Sequence, residues 1–176
     1  MNQLDVLVEE IRSEFPDFRI VSKYDSTLMR TLDVLLRIIT FGAMHSFMDD
    51  FATTIGSTVY IPSSWRRYSA VARCLVLKHE RVHLRQQRKY GKILFALLYL
   101  FVFLPIGLAY FRAKFEKEAY EVSIREAYKA YGPLYVASSK YKESIISIFT
   151  GSSYAWMWPF RRSVERWYDS IISSLG

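Results

Sequence analysis

Apolar positions recur along the chain at two spacings, and each predicts a different kind of element. Leu4, Leu7, Val8, Ile11 and Phe15 return every three or four residues, the period of one helix face, and Pro16 ends the run. Phe18 to Tyr24 alternates apolar with polar residues and reads as a short strand. Ser26 stands where it can cap a second helix, with the face Leu28, Leu32, Leu35, Leu36 and Ile39 and Gly42 as its stop. Thr53 to Ile61 is rich in β-branched residues, halts at Pro62 and reads as a second strand, with Gly56 marking a bulge. Ser63 or Ser64 is the expected cap of a long helix from about Trp65 to Tyr90, which Gly91 closes. Further helices are expected over roughly 110–131, stopped by Gly132-Pro133, then over 134–149 and 161–173.

One stretch fits neither spacing. Ile93 to Phe111 holds 19 residues without a charge, long enough to be a transmembrane candidate. Pro105 and Gly107 interrupt it, and Lys89 and Lys92 on one side balance Arg112 and Lys114 on the other. A chain that turns back at 105–107 makes two apolar arms. The favoured expectation is a hairpin buried against the core, and the alternative is one that dips into a membrane interface.

Composition narrows the class. The 176 residues are 51% hydrophobic and 16% aromatic, which excludes a disordered chain and fits one domain with a sizeable core. The net charge of +7 is scattered in short clusters such as Arg66-Arg67, Arg88-Lys89 and Arg161-Arg162, without a recognised nucleic-acid module, so no nucleic-acid partner is expected. The single Cys74 excludes an intramolecular disulfide and is expected to be buried in a helix. Met1 to Glu14 reads as an amphipathic helix carrying Asp5, Glu9 and Glu10 rather than as a secretory signal.

The candidate chemistry lies in the second half of the long helix, at His79-Glu80-Arg81-Val82-His83. Residues four apart on a helix project from nearly the same face, so two imidazoles in an H-E-x-x-H pattern can bind one Zn²⁺. Glu80 between them is placed to take a proton from a water on that metal. A catalytic zinc takes three protein ligands and keeps one open position. No histidine follows His83, so an Asp or Glu must complete the set.

Glu116-Lys117-Glu118-Ala119-Tyr120-Glu121 resembles the glutamate helix of gluzincin metallopeptidases, in which a Glu ligand is often followed four residues later by Asp. The resemblance makes Glu116 the third ligand, with Glu118 as second choice. Tyr120 then takes the place of the Asp that hydrogen-bonds a ligand histidine. The strand ending in Tyr60-Ile61-Pro62, ahead of the motif helix, resembles the strand bordering a gluzincin cleft, and H-x-x-Q-Q at His83–Gln87 resembles small zincin-like domains of bacteria and phages.

What the resemblance implies is an α+β, mostly helical, zincin-like fold. A small sheet precedes the motif helix and a glutamate helix follows it. The expectation is one domain over 1–176, with its core at 53–131 and a helical, aromatic extension at 133–176. The implied activity is zinc-dependent peptide hydrolysis with Glu80 as general base, on a substrate strand laid along the edge of Thr53 to Ile61. Tyr154 is a candidate oxyanion donor, and His45 is not expected to take part. A cytoplasmic or phage-associated setting is expected. The rival readings are a catalytically silent zincin-like fold acting as a structural or assembly protein, such as one of a phage particle, and a membrane-associated basic protein.

Overall fold

The computed structural model describes residues 2–42, 44–100, 109–151 and 157–176. The chain is mostly helical with a small three-stranded sheet, and it divides into two compact units, Met1–Arg88 and Lys89–Gly176.

In the first unit, α1 (Gln3–Glu14) opens with a capping box, in which Asn2 and Asp5 each bond the other's backbone N–H. Strand β1 (Arg19–Ser22) runs parallel to β3 (Thr58–Ile61), with Ile20 opposite Val59, and β2 (Thr53–Ile55) pairs antiparallel on the other side of β3. The sheet order is therefore β1-β3-β2. The single strand expected over Thr53 to Ile61 is a hairpin instead. Gly56 is no bulge but a turn residue at φ +61°, a left-handed conformation that glycine adopts without strain. β1 is also shorter than expected, because Lys23–Asp25 coils into a 3-10 turn.

Ser26 caps α2 (Thr27–Ile39) as expected, accepting from the Met29 N–H at 3.3 Å. Its inward face differs from the expected one. Met29, Leu32 and Leu36 pack on Phe47 and Met48 of the short α3 (Phe47–Asp50), while Leu28 and Leu35 stand about half exposed. With leucines around most of its circumference, α2 offers two apolar stripes, and the sheet side takes the one that starts at Met29.

The long helix α4 (Ala70–Tyr90) begins later than Trp65. Ser63–Arg67 forms a 3-10 turn whose Trp65 and Arg66 carbonyls accept from the Arg73 guanidinium at 3.1 and 3.0 Å. Ser69, not Ser63 or Ser64, then caps the helix by accepting from the Ala72 N–H at 3.1 Å. Leu7, Ile11, Phe18, Val59, Cys74, Leu77 and Leu84 form one buried cluster that joins α1, the sheet and α4. Cys74 is buried there as a free thiol.

In the second unit, α5 (Lys92–Leu100) packs on α6 (Ala109–Tyr131) through Phe95 and Phe115, ring centroids 5.0 Å apart. The turn expected at 105–107 lies outside the described residues. Phe95 is buried, but Ile93, Leu94 and Leu97 are exposed, so this arm is only partly the buried hairpin expected from its composition. Among the described residues no helix is long and apolar enough to cross a membrane.

The helix expected over 134–149 is two, α7 (Pro133–Val136) and α8 (Ser139–Thr150), because Ser138 adopts an extended conformation and caps α8 afresh. α6, α8 and α9 (Arg161–Ser173) build a core of Ile124, Ile145, Ile146, Phe149, Val164, Tyr168 and Ile171, which Met157 joins. The Tyr168 hydroxyl donates to the Val136 carbonyl inside this core.

Candidate metal centre

α4 carries two buried faces. Cys74, Leu77 and Leu84 form the apolar one, and Glu80, His83, Gln86 and Gln87 are buried on a polar arc beside it, with half-buried His79. At 100° per residue these five polar side chains fall within an arc of about 120°. A helix in a core tolerates such an arc only where its polar atoms find partners.

The partners are found. His79 and His83 present their Nε2 atoms to each other at 3.2 Å, with the rings nearly perpendicular. Two nitrogens at about 2.05 Å from one tetrahedral zinc stand about 3.3 Å apart, so this spacing fits a shared ion. On the far side of the His83 ring, Nδ1 lies 2.9 Å from the Gln86 Oε1. Thr54 of β2 donates its hydroxyl to the Glu80 Oε2 at 2.6 Å, which holds the carboxylate in place beside the histidines.

Gln87 fastens the same strand. Its carboxamide accepts from the Gly56 N–H at 2.8 Å and donates to the Thr54 carbonyl at 3.3 Å. That is the bonding pattern of one residue of a parallel strand placed opposite Ile55. β3 is paired on both sides, so on this side of the sheet only β2 has an open edge, and Gln87 occupies it from Thr54 to Gly56. A substrate strand along the whole of Thr53 to Ile61 therefore does not fit.

Lys23 ends the same unit's polar interior. Fully buried, it donates to the Phe47 carbonyl at 2.6 Å, and its ammonium lies 3.5 Å from the Phe47 ring centroid. Burial lowers its pKa to about 7, although the negative charges of Glu80, Asp33 and Asp49 favour the charged form.

Of the acids on α6, Glu116 is buried, with 2% exposure, and Glu118 is exposed. Tyr99 of α5 donates its hydroxyl to the Glu116 Oε1. Glu116 thus offers a buried carboxylate in the second unit, and His79 and His83 offer two imidazoles in the first. Two imidazoles and one carboxylate are a zinc-type donor set.

Tyr120 packs on Phe149 at 5.6 Å within the second unit. His45 is exposed, and its backbone carbonyl accepts from Arg37 at 3.1 Å. Tyr154 lies outside the described residues. Thr54 and Lys23 went unnoticed in the sequence, where a threonine in a strand and a lysine after one carry no signal. Gln86 and Gln87 were visible only as a repeated residue in a motif.

Compared with family models, curated proteins and solved structures, the chain finds no match.

Proposed function

We propose that the protein is a zinc-dependent peptide hydrolase of zincin-like, gluzincin type, in which His79, His83 and Glu116 hold the ion and Glu80 is the general base. The observation that carries this reading is the histidine pair. Two Nε2 atoms face each other at a zinc-compatible 3.2 Å, one ring is engaged through its other nitrogen, and a carboxylate is fixed beside them. The burial of Glu116, where Glu118 is exposed, supports its part in the set.

When bound, the ion supplies Lewis acidity, which polarises a carbonyl and makes water easier to deprotonate. Glu80 takes the proton from the attacking water. The water oxygen forms the new bond to the peptide carbonyl carbon, the C–N bond breaks, and Glu80 returns the proton to the leaving nitrogen. The products are a carboxylate and an amine. The Thr54 hydroxyl occupies Oε2 of Glu80, which leaves Oε1 for that proton.

A second reading has an observation of its own. Gln87 occupies the β2 edge where a peptide substrate was expected, which favours a protein that keeps its metal without cleaving anything and serves as a structural or assembly component. The two readings separate on Glu80→Gln. The zinc-loaded parent is incubated with a mixture of unstructured peptides and cleavage is followed by mass spectrometry. Hydrolysis is expected in the parent and is expected to fall by about 100-fold or more in Glu80→Gln, with the zinc content unchanged. A parent that retains zinc and cleaves nothing supports the silent reading.

A further inference from the structure

We propose that Gln86 is a positioning residue, which fixes His83 in the one tautomer able to bind a metal through Nε2. The inference rests on the metal reading above, but its geometry lies within a single helix. His83 and Gln86 are 6% and 4% exposed, three residues apart and so adjacent on one face of α4. A carboxamide oxygen only accepts hydrogen bonds, so the 2.9 Å contact from Gln86 Oε1 requires the proton on Nδ1 of His83. In a neutral imidazole the lone pair is then on Nε2, the atom that faces His79 at 3.2 Å.

A second consequence follows for His79. With a lone pair on His83 Nε2, the 3.2 Å contact between the rings requires His79 to donate from its own Nε2 when no ion is present. Gln86 thus gives His83 a partner at Nδ1 from within its own helix.

The test uses the full chain and zinc itself. The tautomers of His79 and His83 are read from long-range ¹H–¹⁵N correlations of histidine-labelled, metal-free protein, and zinc affinity from chelator competition. The parent is expected to show His83 protonated at Nδ1 and His79 at Nε2. Gln86→Leu is expected to mix the His83 tautomers and weaken zinc binding by roughly 10–100-fold. Gln86→Glu keeps an acceptor at the same reach and is expected to restore both the tautomer and most of the affinity, a rescue that a merely space-filling side chain would not give. The proposal is overturned if the metal-free parent carries the His83 proton on Nε2, or if a folded Gln86→Leu binds zinc as tightly as the parent. If the parent binds no zinc while His83 stays protonated at Nδ1, the metal reading itself fails and the Gln86 bond is only a structural one.

Discussion

A lysine at Lys23 is held where its charge is unwelcome, and the resulting pH dependence has a definite sign. In the folded chain its pKa is about 7, against 10.5 for an ordinary lysine. Between those values the unfolded chain binds the extra proton and the folded chain does not, so stability rises with pH across the window. Below pH 7 the full cost of the buried charge is present. Lys23→Met is therefore expected to be more stable than the parent at pH 6, and the advantage should shrink steadily towards pH 10. At the upper end the order is expected to reverse by about 1–3 kcal/mol, because neutral lysine still donates to the Phe47 carbonyl and methionine leaves that carbonyl unpaired. Denaturant unfolding at pH 6, 8 and 10 reads this, and a constant difference across the range would contradict it. The residue scale also separates what sequence discloses from what it hides. His79, Glu80 and His83 declare themselves because their chemistry is set by spacing on one helix. Thr54 is 26 residues from Glu80, and nothing local distinguishes it from Thr53; only the hairpin decides which hydroxyl meets the carboxylate.

Between elements, α1 is tied to α4 chiefly through the Glu14 carboxylate, with Glu10 also receiving Arg81 at 3.3 Å. Glu14 receives Arg81 and Arg85 at 2.8 Å and Arg88 at 3.1 Å, on successive turns of the helix that carries the histidines. These hydrogen bonds, from Arg85 above all, hold the Glu14 carboxyl down at about 2, below its usual value near 4.5. The stabilisation is present above pH 4.5 and is lost as pH falls towards 2. Glu14→Gln is expected to cost roughly 1 kcal/mol at pH 7 and only a small part of that at pH 2, measured as the shift in unfolding midpoint against the parent. Equal costs at both pH values would remove the charge from the explanation. Element existence was largely legible here, since Ser26, Gly42, Gly91 and Gly132-Pro133 bracket their helices as their chemistry predicts. The errors fell where a side chain outcompeted a local signal. Arg73 took the carbonyls that would have begun α4 at Trp65, Ser138 restarted a helix that periodicity alone would have continued, and Gly56 turned one strand into two.

At the scale of the whole molecule, the histidine pair and its base lie in the first compact unit, and the buried Glu116 lies in the second. The proposal couples metal binding to the folding of the unit that carries the histidines. Zinc that binds only the folded state raises stability in step with its concentration above the dissociation constant, about 2.7 kcal/mol at a hundredfold excess. A rise in melting temperature on adding zinc, absent in His83→Ala, is the expected form of that coupling. Within the apolar run at 93–111, Phe95 is accounted for by its packing on Phe115, and residues 101–108 lie outside the described residues. The most direct measurement is zinc per chain in protein purified without added metal, made on the parent, His83→Ala and Glu116→Gln side by side. The account predicts about one zinc in the parent, none in His83→Ala and a weakened, chelator-sensitive occupancy in Glu116→Gln. A parent that holds no zinc and cannot be loaded with it would contradict the account at its centre.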